Sequence, residues 1–553
     1  MKIKLLSNPI VLIFVGALLL RLIGVSWGLP NDVRNYSLHP DEQVNLLYAR
    51  QIIPSQLHFI PGNYSYGTLY LTLLRIVSDI ILSMAGGLDQ AGNIPPNILG
   101  WIHLAGRFLN CIFGAGLVAL TFGIGRRVLS STGAYVATGI VAVAPALLVH
   151  SRFQTVDMLA TMLAVASVYA SVRLIETEAP IMKWTILAGL FAGMSAGTKY
   201  VGLVAIFALL PALLSLKKPG YFGIGLLVAM AAFVITTPGC LFDQKNFIDG
   251  FLFELNHSKE GHGVVFRATS PAWIFHIGNL SSGSSILTVL LGLVGLVLAV
   301  VKKSTWAVIL GVFFLIYYVA VSGGQIKFMR YVLPLIPILA LGVGYTIQRI
   351  QEMGKEKLAI ALGILVVGGI DMGGLVRGGG VTAQMMLPDP RDVVGRWLKD
   401  QGDISVGFVN DPWFWSPSIQ PDADVTRMVG QRNLLELWST WKKPRLARYI
   451  PPNPADRFEW DARLVTDMKP EFISFTSIEY APFKRMSEES NPNDLDKLYG
   501  SRFLEFKKAL EANYDPIDPV HVNDPKHQDM VEDMEYVRPN VLIWQRKKIS
   551  ANP

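Results

Sequence analysis

The sequence contains few cysteines and few charged residues, and both features limit the classes of protein to which it can belong. Of 553 residues, two are cysteines, Cys111 and Cys240. Two cysteines so far apart cannot build a disulfide framework or a cysteine-rich metal centre. Only 16% of the residues are charged, whereas 51% are hydrophobic, and the mean hydropathy is +0.39. This composition is typical of a chain that lies largely in a membrane.

The charge is also unevenly distributed along the chain. Residues 1–376 contain 25 Lys and Arg against 15 Asp and Glu, whereas residues 377–553 contain 24 against 27. This division predicts a polytopic membrane domain, 1–376, followed by a soluble domain, 377–553. The isoelectric point of about 9.1 arises in the membrane part, where basic loops explain it. The charge therefore gives no indication of a nucleic-acid partner.

Apolar runs long enough to cross a bilayer recur through the first part of the chain, because a spanning helix needs about 20 mostly apolar residues. We predict roughly eleven spans, at 9–29, 102–125, 131–150, 154–174, 182–197, 200–216, 220–239, 284–302, 305–322, 331–349 and 357–376. The run 66–86 is also apolar, but Arg75 and Asp79 lie in its middle, where charge is costly in hydrocarbon. It is predicted to lie along the membrane surface.

Basic residues in the short loops predict the orientation. With the N-terminus in the cytoplasm, the inner connections carry Arg126, Arg127, Lys183, Lys217, Lys218, Lys302, Lys303, Arg349, Lys355 and Lys357. This arrangement satisfies the positive-inside rule. It predicts a multi-pass plasma-membrane protein that exposes loops 30–101 and 240–283 and the C-terminal domain on the extracytoplasmic side.

Four basic residues break this rule because they fall at outer helix ends. They are Arg152, Lys199, Lys327 and Arg330. Together they indicate an anionic ligand at the outer surface, although contact with lipid headgroups explains each of them singly. Tyr200 and Tyr331 adjoin two of these residues and could also reach a phosphate, although tyrosines are common at membrane interfaces.

The short motif "LHPDE", residues 38–42, follows the first span. Pro40 suits the first position of a helix, and Val44, Leu47, Tyr48 and Ile52 then recur at helical spacing. Asp41 and Glu42 fall in the first turn, where carboxylates stabilise a helix. The alternative is functional, because such a pair can deprotonate a hydroxyl or, with His39, hold a divalent cation.

Two further groups of polar residues are candidates for a ligand cavity. His257, Glu260 and His262 lie in "NHSKEGHG" of the second outer loop, where a polar loop explains them equally well. Arg107 lies inside the second predicted span and must face the bundle or a cavity. No spacing among these residues demands a metal.

The C-terminal part is predicted to be α/β. The segments 390–401 and 495–514 read as helices, and 404–410, 471–477 and 541–546 read as strands of a small mixed sheet. It contains no nucleotide-binding loop and no nucleophile motif. Acceptor recognition and a purely structural lid remain two open interpretations of this part.

The motifs resemble the family C membrane glycosyltransferases that use polyprenyl-phosphate sugars, in the branch of the protein O-mannosyltransferases and the lipid A aminoarabinose transferases. The matching stretches follow "LHPDE" in the family's order, and they are "GRFLNCIFGAGLVALTFGIGRRV" (106–128), "PALLVHSRFQTVDMLA" (145–160), "AGTKYVGL" (196–203) and "KFMRYVLPLIPILAL" (327–341). The resemblance implies a GT-C fold followed by a soluble domain.

The resemblance also implies roles for individual residues. The carboxylate of the first outer loop is the catalytic base in this family, which corresponds to Asp41. Glu42 completes the motif, and Asp157 matches a second acidic position at the outer start of a later helix. Lys199, Arg330, Lys327 and Arg152 would then hold the donor phosphate. The implied reaction is an inverting transfer of a hexose or pentose to a hydroxyl of a protein, a lipid or a glycan.

Two other classes of protein fit some of these features. A transporter or flippase of lipid-linked sugars would also need outer basic residues and an apolar groove, but the sequence shows no internal repeat. An O-antigen ligase or polymerase shares the donor type, yet it would not need the acid pair of the first outer loop.

Overall fold

The computed structural model describes residues 8–88, 94–369, 371, 373–410, 412–418, 445–447, 458–524 and 532–548. The predicted membrane part is helical throughout these ranges. Its α-helices are Pro9–Leu22, Pro40–Gln51, Leu69–Met84, Pro96–Val128, Ser131–Val143, Pro145–His150, Asp157–Arg173, Ile181–Ala196, Leu209–Ser215, Tyr221–Thr236, Gly239–Phe242, Gln244–Glu260, Ala272–Gly283, Ile286–Val301, Thr305–Ser322, Leu335–Glu352 and Glu356–Gly368. Three 3₁₀ segments, Pro54–Gln56, Tyr200–Ala208 and Met329–Val332, complete this part.

Breaks shorten several of the predicted spans. The run 131–150 divides at Ala144, before Pro145, and the run 200–216 begins as a 3₁₀ helix. By length and composition, the described helices Asn97–Val128 and Thr305–Ser322 can cross a membrane. The pair Ala272–Gly283 and Ile286–Val301, bent by 110°, is a third if it forms one span. The number of eleven spans therefore remains a prediction.

Small residues let the helices approach closely. A methyl group added at Gly193 would lie 2.1 Å from the carbonyl oxygen of Ala229, and one added at Gly295 would lie 1.9 Å from that of Gly342. These contacts join Ile181–Ala196 to Tyr221–Thr236, and Ile286–Val301 to Leu335–Glu352. Close backbone contact of this kind favours packing in a medium that offers no hydrophobic driving force between helices.

The first predicted outer loop contains two helices. Pro40–Gln51 begins as predicted, and Ile52 of the predicted apolar series is fully buried, whereas Val44, Leu47 and Tyr48 are partly buried. Glu42, Gln43 and Asn45 are also buried, and Glu42 and Asn45 hydrogen-bond to other elements. In Leu69–Met84, Arg75 Nε donates to Asp79 Oδ2 over 2.9 Å. The interfacial position of that helix remains a prediction.

The described residues of the C-terminal part form a five-stranded mixed sheet. Its strands are β1 (Ser405–Gly407), β2 (Arg445–Ala447), β3 (Phe472–Thr476), β4 (Tyr514–Ile517) and β5 (Val541–Arg546), in the order β2-β1-β3-β5-β4. β1 pairs in parallel with β2 and β3, whereas β5 pairs antiparallel with β3 and β4. The helices of this part are Gly374–Gln384, Pro390–Asp400, Ser477–Ser487, Asp494–Asn513 and Glu532–Glu535, with a π-helical turn at Leu464–Met468.

Buried polar contacts join this sheet region to the first outer loop. Arg34 Nε donates to Asp392 Oδ1 over 2.8 Å, and Trp27 Nε1 donates to the carbonyl oxygen of Val537 over 2.8 Å. The Tyr36 hydroxyl donates to the carbonyl oxygen of Trp413 over 3.1 Å. The C-terminal part therefore covers the loop that carries the "LHPDE" motif, which is called the motif loop below.

Candidate active site

The helix Pro40–Gln51, which we call the site helix, places Asp41 at the centre of the candidate site. Pro40 occupies its first turn, and Nδ1 of the N-capping His39 accepts the Asp41 N–H over 3.2 Å. Oδ2 of Asp41 lies 2.9 Å from Nη1 of Arg330, and 27% of the Asp41 side chain stays exposed. This contact is an ion pair without hydrogen-bond alignment, since Arg330 Nη1 has no hydrogen-bond partner among the described residues.

Glu42, predicted as the second catalytic carboxylate, points away from solvent and is fully buried. Its two oxygens each accept a hydrogen bond of 2.8 Å from the Arg107 guanidinium, and they also accept from Ser37 Oγ and the Gln154 N–H. Burial raises the pKa of Glu42, but Arg107 outweighs it and lowers the value to about 2. Both oxygens of this carboxylate have partners inside the protein, which favours a role in anchoring the site helix, and its catalytic role stays a prediction.

Arg107 and Arg152, two candidates for the ligand site, also donate hydrogen bonds to other groups of the protein. Arg107, predicted to face a cavity, holds Glu42 and donates to the carbonyl oxygen of Val25 over 2.8 Å. Arg152, predicted as a phosphate ligand, donates to the carbonyl oxygens of Arg21 and Leu20, each over 3.1 Å. Carbonyls at a helix C-terminus lack partners within the helix, and here a buried guanidinium satisfies them. Arg107 therefore faces the bundle, one of its two predicted environments, and the described partners of Arg152 are protein carbonyls, so its contact with a phosphate stays a prediction.

Lys199 and Asp157 form the second charged pair of the site. Lys199 Nζ lies 2.7 Å from Asp157 Oδ1 and 4.3 Å from the centre of the Tyr331 ring. Asp157 is the first residue of the helix Asp157–Arg173, where a carboxylate is stabilised by the helix dipole. Only 3% of the Asp157 side chain is exposed, against 15% for Lys199. Lys199 is therefore the member of the pair that a ligand can reach.

An apolar cavity of about 570 Å³ is lined by Lys199 of the second pair and by Tyr331, which follows Arg330 of the first pair. Lys199, Tyr200, Tyr331, Tyr66 and Glu254 line one part of it. Its other walls are mostly apolar and include Val201, Leu203, Val204, Phe233, Phe247, Phe251, Leu255, Tyr317, Ala320 and Val321. Apolar walls with a few converging polar groups are typical of a ligand site. This cavity, called the apolar cavity below, lies beside Arg330 because Arg330 directly precedes Tyr331.

The two predicted tyrosines line this cavity, but one hydroxyl is already engaged. Tyr200 donates to the carbonyl oxygen of Tyr64 over 2.7 Å, which ties the cavity to the first outer loop. Burial raises the pKa of Tyr66 well above its usual value, and the nearby Asp41 carboxylate raises it further. Tyr66, which lines the cavity, is therefore neutral and close enough to Asp41 to feel its charge.

Sequence reasoning missed Glu254 and Asp533. Glu254 lies one helical turn before His257 on Gln244–Glu260, so the polar face of that helix was an available signal. Burial raises the pKa of the Glu254 carboxyl, which Ser65 partly offsets. Asp533 lies between β4 and β5 in the sequence, and its carboxylate accepts hydrogen bonds from the backbone N–H groups of Met329 and Arg330. Nothing in the sequence around it indicates that contact.

The remaining candidates surround a second, polar cavity of about 270 Å³. Glu260, His262 and Lys327 line it, but Lys327 Nζ donates to Thr269 Oγ1 and to the Ser270 carbonyl oxygen over 2.8 Å each. His257 Nε2 and His262 Nδ1 are 3.0 Å apart and bond to each other. Burial lowers the pKa of His262, the neighbouring His257 lowers it further, and the resulting value is about 4. Lys327 thus lines the polar cavity, whereas Lys199 lines the apolar cavity.

His39 and the predicted cation ligands do not form a metal centre. The His39 ring is fully buried, 4.3 Å from that of Phe153, and burial lowers its pKa to about 4. Asp41 already faces Arg330, and Asp157 already faces Lys199. Within the described ranges, no three His, Cys, Asp or Glu side chains cluster as metal ligands. In this arrangement, each of these carboxylates would have to leave its cationic partner before it could bind a divalent cation.

Comparisons with known proteins agree with this architecture. Residues 97–237 match the sequence model of a family described as dolichyl-phosphate-mannose-protein mannosyltransferase. The crystal structure of apo ArnT from Cupriavidus metallidurans matches with a TM-score of 0.51 at 14% identity, over 85% of this chain and 93% of that chain. The apo oligosaccharyltransferase of Archaeoglobus fulgidus matches with a TM-score of 0.50 at 10% identity, over 93% and 74%.

A comparison with curated protein sequences found no match. At such low identities the structural matches establish the fold, and the family match adds a sequence relation over about a quarter of the chain. Together they confirm the resemblance seen in the motifs: the chain has the GT-C fold and is similar to the membrane glycosyltransferases of the protein O-mannosyltransferase and ArnT branch.

Proposed function

We propose that this chain is an integral membrane glycosyltransferase that moves a hexose or pentose from a polyprenyl-phosphate donor to an acceptor hydroxyl on the extracytoplasmic face. The observation that carries the proposal is the apolar cavity with Lys199 and Tyr331 in its wall and the Asp41–Arg330 pair beside it. It combines a place for a lipid, cations for a phosphate and a carboxylate for a hydroxyl proton in one region.

The apolar cavity suits the lipid part of the donor. Phe233, Phe247 and Phe251 contribute aromatic surface to its walls, which favour an unsaturated hydrocarbon chain through burial of apolar area. Lys199 and Arg330 would hold the phosphate by charge-assisted contacts. The description of the family that matches residues 97–237 also names a polyprenyl phosphate, dolichyl phosphate, as the sugar carrier.

The reaction proceeds in one displacement. Asp41 accepts the proton of the acceptor hydroxyl, and the hydroxyl oxygen forms a bond to the anomeric carbon of the donor sugar. The bond between that carbon and the phosphate oxygen breaks, and the polyprenyl phosphate leaves with the electron pair. A single displacement inverts the anomeric configuration. Lys199 and Arg330 stabilise the negative charge that builds up on the departing phosphate.

The Asp41–Arg330 pair implies that the donor binds before Asp41 accepts the proton. Oδ2 of Asp41 lies 2.9 Å from Nη1 of Arg330. A donor phosphate that binds Arg330 would share its charge and leave Asp41 less tightly held. The carboxylate then becomes a better proton acceptor when the donor is in place. The C-terminal part, which covers the motif loop, would help to recognise the acceptor.

The test compares cells that contain the protein, lack it, or carry a variant. Mass spectrometry of glycans, glycolipids and glycoproteins should show one sugar modification that disappears without the protein. The wild-type chain should restore it, whereas Asp41→Asn should reduce it about 100-fold at equal expression. Asp32→Asn is the matched control, because Asp32 lies in the same loop and pairs with Arg396 in an exposed ion pair.

The outcomes distinguish the proposed enzyme from a transporter. A flippase would bind the same donor but would not need a base, so Asp41→Asn would restore the modification as well as the wild type does. The same modification in cells with and without the protein would contradict both functions.

A further inference from the structure

The C-terminal part reaches into the candidate site through one short segment, 532–537. The carbonyl oxygen of Val537 accepts the indole N–H of Trp27, and the ring of Tyr536 lies edge-on to that of His39 with the centroids 5.4 Å apart. Asp533, four residues before Val537, is fully buried. The segment therefore lies between the start of the motif loop and the turn that carries Arg330.

Asp533 holds that turn by its backbone. Its Oδ1 accepts the N–H of Met329 over 2.9 Å, and its Oδ2 accepts the N–H of Arg330 over 2.9 Å. Oδ2 also lies 3.4 Å from Nε2 of His150, which belongs to a different helix. One carboxylate therefore joins the 3₁₀ segment Met329–Val332 and the helix Pro145–His150 to the C-terminal part.

These bonds matter because the first N–H groups of any helical segment have no partner within it. In a segment of four residues, the bonds from outside decide how the whole turn is oriented. The orientation of the turn sets the direction of the Arg330 side chain. Its guanidinium lies 2.9 Å from Asp41 and 4.2 Å from the centre of the Phe328 ring. No hydrogen bond of its Nη1 to another described group holds it in place.

We propose that Asp533 is a positioning residue for Arg330, so that a carboxylate of the C-terminal part completes the donor-phosphate site of the membrane part. The inference rests on the proposed function, because it assigns Arg330 to the phosphate. It makes the two parts of the chain one functional unit, in which the sheet region contributes to donor binding as well as covering the motif loop.

The experiment is a double-mutant cycle on the full-length protein in detergent, with undecaprenyl phosphate as the probe. Arg330→Ala, Asp533→Asn and the double variant are compared with the wild type by equilibrium binding. Asn keeps one acceptor oxygen but turns an N–H₂ group towards a backbone N–H, so it removes one of the two bonds. Asp496→Asn is the control, because Asp496 also links the C-terminal part to an outer loop, through Arg267.

We expect Arg330→Ala to weaken binding about tenfold to a hundredfold, as loss of a charge-assisted contact does. Asp533→Asn should weaken it about tenfold in the wild-type background and less than about twofold in the Arg330→Ala background, because coupled residues are non-additive. Asp496→Asn should leave binding unchanged. A general loss of structure would instead weaken binding equally in both backgrounds.

Each contrary result has its own meaning. Equal effects of Asp533→Asn in both backgrounds, or no effect, would overturn the positioning role while leaving the proposed function standing. No effect of Arg330→Ala would overturn the assignment of Arg330 to the phosphate, and with it this inference. If Asp533→Asn does not fold by size exclusion and thermal melting, Asp533→Ser, which keeps a hydroxyl acceptor, takes its place in the same cycle.

Discussion

At the scale of single residues, the site holds two kinds of charged pair. Asp41–Arg330 and Lys199–Asp157 each keep one member partly exposed, whereas Glu42–Arg107 is fully buried on both sides. An exposed member can exchange its partner for a ligand, but a doubly buried pair cannot without leaving a charge unpaired. By this difference we assign Asp41, Lys199 and Arg330 to the proposed site, and Glu42 and Arg107 to the support of the fold.

Glu42→Gln is expected to affect stability more than catalysis. It leaves the Arg107 guanidinium buried without its anion, which should cost about 3–5 kcal/mol of unfolding free energy. Glu176→Gln is the matched control, because the Arg127–Glu176 pair is about one-third exposed and should contribute about 1 kcal/mol or less. Thermal unfolding in detergent measures both. A Glu42→Gln protein as stable as the wild type would contradict the anchoring role.

The same pair predicts a direction for the pH dependence of stability. The pKa of Glu42 falls from 4.5 to about 2 in the folded protein, so its contribution is fully present above pH 4.5. That contribution is lost progressively as the pH falls from 4.5, where the unfolded chain takes up the proton, through about 2, where the folded carboxylate does. The melting temperature of Glu42→Gln should therefore fall less than that of the wild type between pH 5 and pH 3. Parallel curves for the two proteins would contradict the assignment.

Lys199 needs a paired substitution, because Lys199→Gln alone leaves Asp157 buried and unpaired. The single variant should lose stability, and Asp157→Asn together with Lys199→Gln should recover it. Binding of undecaprenyl phosphate should stay weakened about tenfold or more in the double variant, because the phosphate has lost a cation. If the stable double variant binds the lipid like the wild type, Lys199 is only the partner of Asp157.

The sequence predicted part of the site because Asp41, Lys199 and Arg330 stand next to recognisable motifs at outer helix ends. It could not distinguish them from Arg152, which breaks the positive-inside rule in the same way. The difference is the pair of backbone carbonyls that Arg152 satisfies at the end of Pro9–Leu22, and these depend on tertiary contacts. Asp533 was missed for the same reason, since its partners are backbone N–H groups some two hundred residues away.

At the scale of secondary structure elements, the clearest predictions were those with strong local signals. The helices at 390–401 and 495–514 appear as Pro390–Asp400 and Asp494–Asn513, and the three predicted strands are β1, β3 and β5. The strands β2 (RLA) and β4 (YDPI) were missed because neither contains a continuous apolar run, unlike β3 and the apolar stretch around β1. In the membrane part, apolar runs do not reveal internal breaks, because Pro145 and the 3₁₀ segment at Tyr200 lie within continuous hydrophobic sequence.

One close contact between elements supports the apolar cavity directly. The N–H of Leu69 donates to the carbonyl oxygen of Gly197 over 3.0 Å, and a methyl group on Gly67 would lie 2.1 Å from that oxygen. Gly67 follows the cavity residue Tyr66, and Gly197 lies two residues before Lys199. The contact therefore fixes the first outer loop against the segment that carries Lys199.

Gly67→Ala should force these two segments apart and weaken both stability and lipid binding. We expect a lower melting temperature and at least about a fivefold weaker affinity for undecaprenyl phosphate, a loss of about 1 kcal/mol. Gly223→Ala is the matched control, because no atom lies within 4 Å of the added methyl group and alanine favours its helix. Equal behaviour of the two variants would show that the contact at Gly67 is not important.

At the scale of the whole molecule, the two ends of the helices differ in chemistry. The candidate site gathers Asp41, Lys199 and Arg330 at one end, whereas Arg126 and Arg127 lie in the last turn of Pro96–Val128. Arg107, on the same helix, holds Glu42 of the site helix. At ~1.5 Å per residue, Arg107 and Arg126 are about 28 Å apart along that helix, close to the ~30 Å hydrocarbon thickness of a bilayer.

This separation predicts that the site and the basic turns lie on opposite sides of the membrane. Exposed Glu260 borders the polar cavity near the site, and exposed Lys217 follows the helix Leu209–Ser215. In a Cys240→Ser background, we expect an impermeant maleimide to label Glu260→Cys in intact spheroplasts, and Lys217→Cys only after permeabilisation. Cys111 is buried and should not react. Labelling of Lys217→Cys, but not Glu260→Cys, in intact spheroplasts would place the site on the cytoplasmic face, where the proposed donor would have to carry its sugar on the inner leaflet.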